Sequence, residues 1–169
     1  MASQAAWVEQ SLGDRLFAID INMGCPARKI AGKGDGAALM RDPELASSIV
    51  GAIYKTVSCP VTVKFRRGFE LDNETAVEFG KRMEAAGASA VAIHGRYAQQ
   101  FYRGNADWNI IARCKEALSI PVIGNGDITN GERALAMIEQ TKCDAIMVGR
   151  GAQGYPWIFK DIASRLSGG

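Results

Sequence analysis

Cys25 stands between Gly24 and Pro26, just past the apolar run Phe17 to Ile21 and the amide Asn22. Gly24 permits unusual backbone angles, and Pro26 fixes its own φ and restricts the cysteine before it. A thiol in this setting can be a nucleophile, a proton donor or a packed apolar group. Free cysteine is among the most buried residue types, which favours packing for a cysteine taken alone. Its place just beyond a strand, ahead of a loop carrying Gly32, Gly34 and Gly36, favours chemistry. In barrels of alternating strands and helices, that end of each strand is where reactions are carried out. The three glycines would let a backbone or a flat ligand come close. A nucleophilic cysteine wants a base, and His94 is the only histidine in the chain.

Other polar groups recur in the same relation to apolar runs. Lys64 lies in Val61-Thr62-Val63-Lys64-Phe65 and is followed by Arg66 and Arg67. An unpaired ammonium in a buried strand is costly, so Lys64 either pairs with a carboxylate such as Asp20 or faces an anionic ligand. Its position favours the ligand. His94 and Arg96 follow Val91-Ala92-Ile93, and His94 is either a satisfied structural group or a ligand contact. Gly124-Asn125-Gly126-Asp127 and Gly149-Arg150-Gly151 follow the last two apolar runs. Glycine loops in that place offer backbone N–H groups to a phosphate, and Arg150 adds a charge-assisted bond; the alternative is two ordinary tight turns. Gln99-Gln100-Phe101-Tyr102-Arg103-Gly104 would either clamp a nucleotide or cover the core. No G-K-[ST] follows a glycine loop, and no G-x-G-x-x-G follows the first strand, which disfavours ATPase and dinucleotide-binding readings.

The elements that position these groups alternate. Met1 to Asp14 reads as a helix, and Leu16 to Ile21 as the first strand. Asp42 caps a helix with Pro43 in its first turn, and Leu45, Ile49, Ile53 and Val57 form its apolar stripe. Strands follow at Val61–Phe65, Ala90–Ile93, Pro121–Ile123 and Asp144–Val148. Helices are expected at Asn73–Ala86, Asp107–Leu118, Asn130–Thr141 and from Pro156 to Leu166. The short, nearly continuous apolar strands predict a parallel sheet buried on both faces. One end of that sheet collects Asn22, Cys25, Lys64, Arg66, His94, Arg96, Asn125, Asp127 and Arg150. Stability alone does not require such sorting.

Bulk properties narrow the classes. The chain has 169 residues, 47% hydrophobic and 22% charged, with a net charge of +2. It is a globular chain long enough for one core, and any RNA contact must come from a local patch. No apolar run reaches the roughly 18 residues of a membrane helix, and the first residues lack a secretory signal. A cytoplasmic location and no membrane partner are expected. The four cysteines form no C-x-x-C and there is one histidine, so neither a metal site nor a disulfide scaffold is expected. Cys59, Cys114 and Cys143 read as small buried apolar groups.

Asp20-Ile-Asn-Met-Gly-Cys-Pro26, Val63-Lys64-Phe-Arg66, Ile93-His-Gly-Arg96, Gly124-Asn-Gly-Asp127 and Val148-Gly-Arg-Gly151 together resemble the tRNA-dihydrouridine synthases, most closely the bacterial type B branch. The resemblance runs from about Phe17 to Phe159. It implies an α/β fold of the TIM (β/α)8 barrel family. Here that means a partial barrel of about five parallel strands with flanking helices, one domain over 1–169 carrying strands four to eight. It implies an FMN-dependent reduction of uridine to 5,6-dihydrouridine in tRNA, with NADPH or NADH as electron donor. Cys25 matches the general acid that protonates C5. Lys64, His94, Asn125, Gly126, Asp127, Gly149 and Arg150 match cofactor-binding positions; Asn22, Arg66 and Arg96 are placed with the substrate.

The opening barrel strands and the C-terminal helical domain of that family have no counterpart here, so the chain reads as truncated. Exposed sheet edges then invite self-association or a complementing chain. Two rival functions stand beside the reductase. One is an inactive partial barrel that only binds RNA or a partner chain; the other is a flavin barrel acting on a small molecule.

Overall fold

A computed structural model describes residues 1–167; the last two positions of the expected 1–169 domain lie outside the described residues. Five strands form one sheet: β1 (Ile19–Asn22), β2 (Val61–Arg66), β3 (Ala90–His94), β4 (Val122–Asn125) and β5 (Ala145–Met147). All neighbours are parallel and the spatial order is the chain order. The helices are α1 (Ala2–Leu12), α2 (Arg28–Ala31), α3 (Pro43–Tyr54), α4 (Ala76–Ala85), α5 (Asn109–Ala117), α6 (Gly131–Thr141) and α7 (Ile158–Leu166). This is the α/β architecture of a partial (β/α) barrel.

The core lies between the sheet and its helices. Val61, Val63 and Phe65 of β2, with Val91 and Ile93 of β3, are fully buried, and Phe65 meets Phe79 of α4 edge-on at 5.1 Å between centroids. Period-two alternation then puts Thr62, Lys64 and Arg66 on the opposite face. On β1 and β2 that face is polar, which corrects the expectation there, whereas β3 and β4 carry Ala92 and Ile123 on it and β3 is buried on both faces as expected. β1 alternates in the same way, with Ile21 buried and Asp20 and Asn22 exposed.

Other differences have simple causes. β1 begins at Ile19, whose N–H bonds Pro60 O, while Phe17 is 89% exposed. Leu16 and Phe17 precede the neighbour they would pair with. Asp42 does cap α3, accepting from Leu45 N–H at 2.9 Å. The buried face of α3 is Ala46, Val50 and Ile53, however, with Ile49 and Val57 half-buried and Leu45 exposed. α4 begins at Ala76 because Thr75 and Ala76 N–H both turn back to Arg67 O. Cys114 and Cys143 are buried, but Cys59 is only half-buried; all four cysteines are free.

At the end where strands begin, acidic side chains staple the connections. Glu9 of α1 accepts from Ser58 N, Ser58 Oγ and Cys59 N, just before β2. Glu84 of α4 accepts from Ser119 N, Ser119 Oγ and Ile120 N, just before β4. Asp144 bonds Val122 N–H and the Lys115 ammonium. Bonds donated to each carboxylate hold all three below the ordinary carboxyl range: Cys59 N–H first for Glu9, the Ser119 hydroxyl for Glu84, and Lys115 for Asp144. Among the described residues, no helix is long and apolar enough to cross a membrane.

Candidate active site

Parallel register lines up the polar face in two rows. Asn22, Lys64, Ala92 and Ile123 lie side by side across β1 to β4. One pleat further on, Arg66, His94, Asn125 and Met147 lie side by side across β2 to β5. Above the second row, the loops after the strands close a cavity of about 560 Å³. It is lined by Asn22, Gly24, Cys25, Lys64, Arg66, His94, Tyr102, Asn125, Gly126, Asp127, Gly149 and Arg150, among others. That size and mixed lining suit a small-molecule or cofactor site. Every site residue expected from the sequence faces this cavity except Arg96.

The loop carrying Cys25 is stitched from several sides. Asn22 Oδ1 accepts from Gly24 N–H at 3.0 Å, and Arg66 Nε donates to Gly24 O at 2.8 Å. Cys25 O accepts from Ala37 N–H at 3.0 Å. Gly36 sits at φ +58°, where a Cβ would meet Cys25 O at 2.8 Å. Gly36 is therefore required for the loop to fold onto Cys25. The left-handed glycines are Gly34 and Gly36 and not Gly24, which corrects one expectation; of the other, the close approach at Gly32 and Gly36 is that of a backbone and not of a ligand, since none of the three glycines lines the cavity. Cys25 itself is half-buried.

Arg66 is 3% exposed, and its Nη1 also donates to Tyr97 O and Phe101 O. Its charge is thus spent largely on backbone carbonyls. Lys64 differs: among the described residues it makes no ion pair and no side-chain hydrogen bond, and Asp20 Oδ1 instead accepts from Thr62 Oγ1 at 2.7 Å. Burial, then the nearby Arg66 charge, lowers the Lys64 pKa, with Asp20 opposing weakly. An ammonium of this kind gains from any anionic or electron-rich ligand in the cavity.

On the other side, Asp127 sits at φ +58° and accepts from Arg96 Nη1 at 2.8 Å and Ala106 N at 2.7 Å. Burial opposes its charge, but these bonds outweigh it and hold the carboxyl below its usual range. Arg96 is 2% exposed and lies behind the wall, where it also grips Gly104 O at 2.6 Å. Asn125 Nδ2 donates to Met147 O at 2.7 Å, joining β4 to β5. At Gly151 a Cβ would strike Ile128 O, so the two last loops touch through a glycine. At Gly149 a Cβ would meet nothing within 4 Å, which leaves open space beside exposed Arg150.

Tyr102 belongs to the loop expected either to clamp a nucleotide or to cover the core, and it lies at the cavity. Its ring lies 4.5 Å from Arg150 Cζ and 5.8 Å from Arg66 Cζ. The Phe-Tyr pair after two glutamines was the available signal, but it did not say which ring faces inward. Phe101 instead lines a neighbouring groove with Arg28, Arg41 and Phe69. Among the described residues, no group of three or more His, Cys, Asp or Glu is placed to hold a metal ion. The lining therefore carries one thiol, one carboxylate already paired, and an excess of cations.

A family model described as dihydrouridine synthase (Dus) matches residues 1–168. The tRNA-dihydrouridine synthase B of Pseudomonas aeruginosa is 46% identical over 169 residues, covering 100% of this chain and 50% of that protein. A probable tRNA-dihydrouridine synthase of Rhodobacter capsulatus is 46% identical over 166 residues, covering 98% of this chain and 51% of that one. The chain thus spans about half the length of the curated relatives it matches. Among solved structures, a nitroalkane oxidase from Streptomyces ansochromogenes aligns with a TM-score of 0.50 at 20% identity, over 85% of this chain and 36% of that one; it bears on the fold alone.

Proposed function

The chain belongs to the dihydrouridine synthase family, and from that premise we propose that its cavity serves the FMN-dependent reduction of uridine to 5,6-dihydrouridine in tRNA. One observation carries the reading: Cys25 and the unpaired Lys64 share a cavity at the C-terminal ends of the strands. The lining fits a flavin. It has room for a flat ligand, an ammonium without a protein partner, and open space at Gly149 beside Arg150 for an anionic tail. In this assignment Lys64 and His94 hold the ring, and Asn125, Gly126, Asp127, Gly149 and Arg150 surround the phosphate end. FMN held there would supply the hydride chemistry at uracil C6, with NADPH or NADH as the electron donor.

Cys25 does the remaining chemistry. Its Sγ–H gives a proton to C5 as the C5=C6 bond is saturated, and the thiolate left behind regains a proton from solvent. Asn22 and Arg66 both grip Gly24, and so hold the proton donor in place. The uracil must leave its stack to reach this depth. Half-exposed Tyr102 and Phe101, with Arg28 in the neighbouring groove, support stacking and phosphate contacts with RNA. A cytoplasmic setting follows from a tRNA substrate.

The test is the visible absorption spectrum of the purified chain after FMN is added and unbound flavin is removed by gel filtration. About one retained flavin per chain, followed by NADPH-dependent reduction of unmodified tRNA that Cys25→Ala abolishes, is expected. A second reading, an inactive partial barrel that only binds RNA or a partner chain, is favoured on its partner side by the sheet edges: β1 and β5 have no outer neighbour among the described residues, and an apolar groove of about 620 Å³ lies beside β1. No retained flavin together with tRNA binding would establish that reading instead.

A further inference from the structure

We propose that Arg96 is a positioning residue that fixes the tautomer of His94: Arg96 Nη1 donates to His94 Nε2, so the ring proton resides on Nδ1 and is offered as a hydrogen-bond donor to the cavity. The contact is 3.3 Å long and buried. Arginine has donors and no acceptor, so the nitrogen it meets must supply a lone pair. A neutral imidazole then has one place left for its proton, which is Nδ1.

Arg96 is not free to turn away. Its Nη1 holds Asp127 Oδ1 at 2.8 Å, and its Nη2 holds Gly104 O at 2.6 Å and Asp127 Oδ2 at 2.9 Å. Behind the ring, a Cβ at Gly126 would come within 3.0 Å of His94 Cδ2, so the Cδ2–Nε2 edge is packed against the chain. The Nδ1 edge is what remains for the cavity that His94 lines. Among the described residues Nδ1 has no hydrogen-bond partner, and it is not among the sealed unpaired atoms, of which Thr75 Oγ1 is the one found.

The charges facing the ring agree. Lys64 and Arg66 from β2 and Arg96 from its own loop oppose a second proton, Asp127 from the loop after β4 favours it, and the Tyr102 ring lies 6.4 Å away. Burial first, then the three cations, lower the His94 pKa to about 3. His94 therefore does not act as an acid or base near neutrality. It is a fixed donor, and a ligand must meet it with a carbonyl oxygen or an imine-type ring nitrogen. The tautomer stands without the flavin; only the identity of that acceptor rests on the function proposed above.

Because His94 is the only histidine, its two ring nitrogens give the only imidazole signals in a long-range proton–nitrogen spectrum of the labelled chain. Expected without ligand are an unprotonated Nε2 and a protonated Nδ1, with no titration as pH is lowered through the free-imidazole range. A scalar coupling between Arg96 Nη1 and His94 Nε2 across the hydrogen bond is expected in the unmodified protein, so the assignment does not hang on a variant that must fold. A proton on Nε2, averaged tautomers, or titration near the ordinary imidazole pKa would overturn it. Arg96→Gln, which keeps a donor, should retain the Nδ1–H tautomer, whereas Arg96→Met should let the two nitrogens average. An unchanged tautomer in a folded Arg96→Met protein would remove Arg96 from the role. FMN should then shift the Nδ1 proton. If the tautomer is as stated and FMN leaves that proton unmoved, the flavin reading fails and the tautomer assignment stands.

Discussion

Where the strands begin, Glu9, Glu84 and Asp144 each aim a carboxylate at backbone N–H groups of a neighbouring connection. Where the strands end, Lys64, Arg66, His94 and Arg150 face a cavity, and only some of their bonding capacity is met by protein. The first end is acidic and satisfied; the second is basic and partly unsatisfied. Charge at the first end closes connections, and each group has its partners within the chain. Charge at the second end includes Lys64, which burial disfavours and which forms no ion pair among the described residues. The difference teaches how to tell a stabilising charge from a functional one in this fold: the functional group is the one whose environment lacks its counterpart.

Substitutions at the two ends should therefore separate function from stability. The largest effect is expected for Cys25→Ala, which should lower tRNA reduction about 10²–10⁴-fold while leaving the urea midpoint nearly unchanged. A parallel collapse of the urea midpoint would mean that the thiol is a packing group after all. Lys64→Met should weaken flavin retention by roughly tenfold or more and at the same time raise the urea midpoint, because an uncompensated ammonium is removed. Lower stability in that variant would show Lys64 to be paired in the free protein.

The two ends should also titrate in different windows. His94 has a folded pKa of about 3 against an ordinary 6.5, so the unfolded chain binds the extra proton and stability falls as pH drops below 6.5. The slope is at most about 1.4 kcal/mol per pH unit for one proton. Glu9, Glu84 and Asp144 have depressed folded values, so their contribution is complete above their ordinary 4.5 and 3.8 and is lost only below. Urea midpoints against pH should show the two limbs, and His94→Asn should erase the upper one. The smallest effect is that of Glu84→Ala, a loss of ~1 kcal/mol with flavin retention unchanged; Glu9→Ala should act in the same direction.

Much of this was legible in the chain. The alternation of strands and helices, the gathering of Cys25, Lys64 and His94 at one end, and the Asp42 cap all follow from local pattern. What was not legible depends on partners distant in sequence. Arg96 reads as one more cation at a strand end, and only its pairing with Asp127 and Gly104 O places it behind the wall. The stripe Leu45-Ile49-Ile53-Val57 steps by four, which drifts around a 3.6-residue helix, so its first member turns outward while Ala46 and Val50 turn in. Lys64 stands opposite Asn22 in the register, while Asp20 stands opposite Thr62 and accepts its hydroxyl. The acidic staples did leave a trace: Ser58-Cys59-Pro60-Val61 and Ser119-Ile120-Pro121-Val122 repeat one pattern, and each serine meets a glutamate from a helix well upstream.

The strand order has a consequence for how the molecule comes into being. Each strand lies next to the one made immediately before it. During synthesis each of β2 to β5 therefore meets a finished surface to dock on, and among the described strands none waits for a distant partner. The cationic pocket is the exception to this piecewise growth: its wall spans from the loop after β1 to the loop after β5. A nascent chain would acquire a sheet gradually and its ligand site all at once, when Gly149 and Arg150 clear the ribosome.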